Sequence, residues 1–335
     1  MQSTSVSNLL TRSGARWMPE STVSNAADTW PLISIITPCL NSVGVIEQAI
    51  ASVRCQNYPK VEHIIIDGGS KDGTLSVLEK YPDLRIISEP DQGLYDALNK
   101  GIRAAGGEVI GHLNSDDLYE VGALDKVVEA FRNHPEAEAV CGGAIVFSDT
   151  ADGQVNAVME YNKPENKNFS FSGVLLGIPI INARFFRKRA YERIGEYDSR
   201  YRIASDREFL IRAGLNNVIC VSLHDVVYRY RQHSGSMTIS GNLIDILPAV
   251  RENMEIAERY MSRNDVSREL ERCLKLWHTR NAALMLFLEL SSGHVLDSAR
   301  TFARGWRWDA LWPCGLVNLA AQRLMNAAAR VRQTV

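Results

Sequence analysis

The chain has 335 residues, room for one large domain or two modest ones, and its 45% hydrophobic and 23% charged composition suits a globular protein. Its 37 basic and 39 acidic residues nearly cancel, to a formal charge of −2, which argues against nucleic acid as the main partner. Six scattered cysteines form neither a CxxC pair nor a dense framework, so they read as reduced thiols of a cytoplasmic protein rather than a zinc or disulfide scaffold.

Residues 1–29 are rich in Ser, Thr, Asn and Ala and lack the basic start and apolar core of a secretory signal. Residues 1–30 are therefore taken as a flexible segment. A regular pattern begins at Leu32. Residues 32–37 form an apolar run halted by Pro38, and residues 45–53 show helical spacing. A second β-rich run, VEHIIID at 61–67, leads through the loop 68–73 to a helix at 74–81. A third strand at 84–88, a helix at 94–105, a fourth strand at 108–113 and a helix at 121–133 follow. Short apolar strands alternating with helices predict a parallel sheet covered on both faces, doubly wound by right-handed crossovers.

After His134 the rhythm loosens. Residues 139–147 and 154–161 suggest a hairpin turning at Asp152-Gly153, and 162–173 a loop. Strands are expected at 180–186, 218–222 and 226–231, and helices at 188–194 and 205–213. From Ile244 onward the spacing is almost wholly helical. The longest apolar run there, residues 282–288, is far too short to cross a bilayer.

In open α/β sheets, ligands bind beyond the carboxyl ends of the strands. Those ends carry a coherent polar set: Thr37-Pro38-Cys39-Leu40-Asn41, then Asp67-Gly68-Gly69-Ser70, then Asp91 before Gly93, then Asn114-Ser115-Asp116-Asp117. Any one of them has a plain explanation, because Asp caps helices. Four in consecutive units are harder to explain that way. The adjacent carboxylates of Asp116 and Asp117 repel, and a hard divalent cation, Mg²⁺ or Mn²⁺, held between protein and diphosphate would offset the cost. The plain alternative is that one Asp caps the next helix and the other is solvated. Asp206, taken alone, is a first-turn helix residue favoured by the helix dipole.

The segments ISIITPCLN, IIIDGGSKDGT, DQGLYDALNKGI and GEVIGHLNSDD, in this order and spacing, resemble the nucleotide-binding half of the family 2 glycosyltransferases. The resemblance is strong over residues 32–119 and weaker to Thr238. It implies a GT-A fold with a nucleotide-sugar-binding half at 31–135, an acceptor-binding half at 136–240, and a helical extension at 241–335. It also implies that Thr37, Pro38, Asn41 and Asp67 hold the nucleoside, with Asp91 beside them. Ser115, Asp116 and Asp117 would bind the metal that meets the donor diphosphate. Asn114 stands where many members carry Asp, which leaves open which aspartate is the direct ligand. Ser205 replaces the Glu of the family's Glu-Asp pair, and Asp206 keeps the position of the catalytic base. His233 is similar to a position that touches metal or phosphate in some members.

The implied activity is inverting transfer from a nucleoside-diphosphate sugar, UDP-linked by family habit, to a saccharide or lipid-linked acceptor, in bacterial surface polysaccharide or glycolipid synthesis. Two other classes compete. A nucleotidyltransferase would need a basic, glycine-rich loop after the first strand, where this chain has no basic residue before Arg54. A non-catalytic nucleotide-sugar or carbohydrate-binding module would explain the missing acids at Asn114 and Ser205. No GxGxxG follows the first strand, which argues against a Rossmann dehydrogenase. Residues 297–335 hold six Arg, two Asp and no Lys or Glu, with Trp306, Trp308 and Trp312 among them. That combination suits an anionic membrane surface on the inner face of the cell membrane, or else helices packed on the catalytic domain or a dimer partner.

Overall fold

The computed structural model describes residues 30–149, 155–233, 246–309 and 312–315. The N-terminal segment 1–29, the Asp152-Gly153 turn, residues 234–245 and the tail from 316 lie outside the described residues.

Among the described residues, nine strands form one sheet. Its path is β3 (Arg85–Ser88), β2 (Val61–Asp67), β1 (Ile33–Cys39), β4 (Val109–His112), β8 (Arg184–Arg187), β6 (Ala139–Asp149), β9 (Cys220–Arg231) and β5 (Leu118–Tyr119), with β7 (Val155–Tyr161) paired to β6. The first four pair in parallel, through β1–β2, β2–β3 and β1–β4. Beyond β4 the sheet is mixed: β8 is antiparallel to both β4 and β6, while β6 and β9 run parallel. Both halves anticipated from the sequence thus share one sheet.

Side chains alternate along a strand, so β2 serves both faces of the sheet. Ile64 and Ile66 join a core with Tyr95, Leu98 and Ile102 of α3 (Leu94–Ala104), Phe209 of α7 (Ser205–Leu215) and Trp277 of α9 (Arg268–Ser291). Ile65 faces the other way, onto Ile46 and Ile50 of α1 (Ile46–Arg54) and Val77 and Leu78 of α2 (Thr74–Leu78). That two-sided cover is why the strands read as continuous apolar runs.

Three expectations need correcting. The strand expected at 180–186 starts only at Arg184, whose buried guanidinium gathers the carbonyls of Ile180, Lys167 and Asn166 and so holds the preceding residues as a loop. The separate strands expected at 218–222 and 226–231 are one strand, β9, with register shifts opposite Gly143. The segment 162–173 holds a 3-10 turn at Pro164–Asn166 and the start of α5 (Phe171–Leu176), capped by Ser170 Oγ accepting from the Gly173 N–H. Between β5 and β6 lies α4 (Ala123–Asn133), and α6 (Lys188–Ile194) follows β8. The C-terminal region is α8 (Leu247–Met261), α9 and α10 (Val295–Trp308).

Candidate active site

The turn after β4 is held by the far edge of the sheet. β5 pairs antiparallel with Tyr228 and Arg229 of β9, which brings the end of β9 against Asp116 and Asp117. Asp117 is almost fully buried, and its carboxylate accepts from Tyr228 Oη at 2.7 Å, the Arg231 N–H at 2.8 Å and Asn114 Nδ2 at 2.9 Å. Burial, reinforced by the neighbouring Asp116 charge, pushes the Asp117 carboxyl up to about 7. Asp116 is different. Its carboxylate is partly open and meets His233 Nε2 at 2.8 Å, while its carbonyl accepts from Arg231 Nε at 2.9 Å. Ser115 Oγ lies 3.0 Å from Ser42 Oγ, which ties this turn to the loop after β1.

Asp116, Asp117 and Asp206 line one cavity of about 660 Å³, together with Pro38 and Ser115. Asp206 sits in the first turn of α7. Burial pushes its carboxyl up, and the Arg207 charge and hydrogen bonding from the Arg207 N–H (2.6 Å) and Tyr95 partly offset this. The loop before it is gathered by Glu252 of α8, whose carboxylate accepts from the N–H groups of Arg202 (2.8 Å), Ile203 (2.9 Å) and Ala204 (2.8 Å). Arg207 donates through Nη1 to the Val174 and Leu175 carbonyls and lies over the Trp277 ring, 5.5 Å from its centroid. An apolar wall, Ile178 to Ile181, completes that side.

The remaining sequence candidates gather elsewhere. Thr37 is fully buried, with its hydroxyl 2.9 Å from His63 Nε2. Asn41, at φ 52°, accepts from the Lys71 N–H at 2.9 Å. Asp67 has no exposed surface and accepts from Ser88 Oγ at 2.7 Å and from the Gly69 and Ser70 N–H groups at 3.2 Å. Burial would raise its carboxyl; hydrogen bonds from Ser70, Ser88 and the backbone outweigh that and hold it below the ordinary range. Asp91 accepts from the Gly93 N–H at 2.9 Å and packs on Gly68, where a Cβ would overlap its carboxylate. These four residues frame the loops beside the cavity but do not line it. Sequence reasoning singled out neither Glu252 nor the β9 residues Tyr228 and Arg231. The alternating Tyr-Arg-Tyr-Arg of 228–231 was the available signal for the latter; Glu252 has none, being one polar helix residue among many.

Among the described residues no three metal-ligating side chains cluster. Asp116 and His233 nonetheless suit a divalent cation of the Mg²⁺ or Mn²⁺ kind, because such ions take one or two protein ligands and complete their shell with substrate phosphate and water.

A doubly wound α/β half, an acidic turn after β4 and a carboxylate across the same cavity define a transferase with the GT-A fold. The chain belongs to glycosyl transferase family 2, whose profile matches residues 34–195. It is 31% identical over 223 residues to the PGL/p-HBAD biosynthesis glycosyltransferase of Mycobacterium tuberculosis, covering 64% of this chain and 81% of the relative. It is 27% identical over 234 residues to the uncharacterized glycosyltransferase EpsJ of Bacillus subtilis, covering 67% of each. Among solved structures, the mannosyltransferase PcManGT from Pyrobaculum calidifontis, in complex with GDP-Man and Mn²⁺, superposes with a TM-score of 0.57 at 18% identity, over 90% of this chain and 89% of that one. S. aureus TarS 1–349 in complex with UDP-GlcNAc gives 0.52 at 18% identity, over 85% and 92%. The chain spans 43% of a longer TarS chain. At such identities the structural likeness concerns the fold. The enzyme is a glycosyltransferase.

Proposed function

We propose that the enzyme moves a sugar from a nucleoside-diphosphate sugar to a hydroxyl of a saccharide or lipid-linked acceptor, with inversion, in bacterial surface polysaccharide or glycolipid synthesis. The observation that carries this reading is the shared cavity: the partly open Asp116 and the desolvated Asp206 line one space large enough for a sugar and part of its nucleotide.

In this reading Asp116 and His233 would hold a divalent cation, and Asp117 fixes the turn that presents Asp116. When bound, such a cation neutralises charge on the departing diphosphate as a Lewis acid. Asp206 takes the proton from the attacking acceptor hydroxyl, and a carboxylate whose pKa is raised is better matched to that task near neutral pH. A single base on the acceptor side implies one displacement. The loops framed by Thr37, Asn41, Asp67 and Asp91 shape the nucleoside pocket from behind, and Asp67 acts on the base through the loop it holds. UDP-sugars are the first donors to test. A donor in solution and a lipid-linked acceptor would meet at the cytoplasmic face of the membrane.

Thermal unfolding with UDP, GDP, dTDP and CDP, each with and without Mn²⁺ or Mg²⁺, tests the donor site. At 100 times its dissociation constant a ligand adds about 2.7 kcal/mol, a rise of several degrees for a domain this size. A metal-dependent shift with one nucleotide supports the reading. No shift with any of them, in folded protein, overturns it.

A further inference from the structure

Helix α10 is packed the wrong way round for a helix on a globular surface. Against the protein it places Ser298, Thr301 and Gly305, all buried, with Gly305 so close to the fully buried Trp312 that a Cβ there would overlap the indole. The outward face should then be polar. It is apolar instead. At about 100° per residue, Val295, Leu296, Ala299, Ala303 and Trp306 fall within roughly 100° of the helix circumference. All five are exposed, Leu296 to 78% and Trp306 to 54%.

The last turns of α9, just before α10, also expose Phe287 and Leu290. One flank of the stripe carries Arg300 and Arg307, both exposed. Asp297, also exposed, pairs with Arg300 at 3.0 Å, a contact worth little in water. Arg304, further round, is spent on Glu258 of α8. The sequence past Asp309 adds Arg323, Arg330 and Arg332 and no acidic residue. The three C-terminal tryptophans therefore divide: Trp312 is core, Trp308 is half-buried, and Trp306 points out among arginines.

We infer that the α9–α10 tip is a docking surface for an anionic lipid bilayer. The apolar stripe enters the interfacial layer, Trp306 sits at headgroup level and Arg300 and Arg307 face lipid phosphates. No helix of the described residues is long and apolar enough to cross a membrane, and the stripe on α10 suits a helix that lies in the interfacial layer. Charge favours lipid over a second copy of this chain, whose identical patch would oppose arginine to arginine. The surface gives the proposed lipid-linked acceptor its place, and rests on that reading for its purpose alone.

Co-sedimentation of the full chain with vesicles tests it, using phosphatidylcholine alone and phosphatidylcholine mixed with phosphatidylglycerol. The expected result is binding to the anionic vesicles that falls with added salt and is much weaker on neutral ones. Replacing both Arg300 and Arg307 by Ala should weaken it roughly 25-fold, about fivefold for each arginine. Leu296→Asp with Trp306→Asp should abolish it while leaving the melting temperature and the nucleotide response unchanged, so failure here is separable from failure of the donor site. Equal binding to both vesicles, no binding, or a lipid-free dimer that the double Asp variant dissociates would overturn the inference.

Discussion

At the carboxyl end of β2, Asp67 is closed off: buried, with both oxygens engaged by Ser88 and the backbone of its own loop. Beyond β4, Asp116 has an accessible carboxylate whose protein contact is one imidazole. Both are aspartates at the carboxyl ends of parallel strands that flank β1, yet one finishes a loop and the other faces a cavity. Asp117 repeats the contrast one residue away, since three donors from β9 and the turn saturate it. What sets Asp116, the proposed metal ligand, apart from its saturated neighbours is unused hydrogen-bonding capacity, more than residue type or position.

Substitutions can break that comparison. The largest effect is expected at Asp206: Asp206→Asn should lower kcat by about 10²–10⁴, the usual worth of a general base, with donor KM and melting temperature nearly unchanged. A variant retaining near-full turnover would remove Asp206 from the base role. Next, Asp116→Ala should fold normally but lose the metal-dependent part of nucleotide stabilisation, about 2.7 kcal/mol under saturating conditions, read as a missing thermal shift. Asp117→Ala should do the reverse in part. It strands buried donors at about 1–3 kcal/mol each, so the apo protein itself should melt several degrees lower. An Asp117→Ala protein as stable as wild type would show that the saturated carboxylate is not structural.

Asp67 offers the gentlest test, through pH. Its folded carboxyl lies below the ordinary range, so the unfolded chain binds the proton more readily. The stability it contributes is present above the unfolded value and is lost as pH falls through the lower, folded one. Urea unfolding followed downward from pH 6 should show wild type losing stability at its acid end, and Asp67→Ala losing less. Equal slopes would place the acid sensitivity elsewhere.

The parallel half was legible because both faces of its strands are covered: residues 61–67 read as a β-rich run whose three isoleucines end in Asp, and Val61–Asp67 is the strand found. Polar strand ends led to Asp116 and Asp117, and the family resemblance to Asp206; the three share a cavity. What the sequence could not separate was the open from the saturated carboxylates. Saturation comes from Tyr228 and Arg231, more than a hundred residues downstream, and no local pattern announces that pairing. The mixed half was read less well for a related reason. Arg184 there is buried by carbonyls from a distant loop, and an arginine in an apolar run gives no hint that it will stop the strand from starting earlier.

The contact made by Glu252 bears on what counts as the minimal enzyme. The family profile ends at residue 195, and every motif with a candidate role is complete by His233. Yet three consecutive amides just ahead of Asp206 are tethered to one carboxylate on α8, in the helical region beyond. A chain trimmed to its motifs would keep all the named residues and release the tether on the backbone just ahead of Asp206, the proposed base. In this protein the appended helices are part of the instrument, and sequence boundaries drawn around conspicuous residues cut through it.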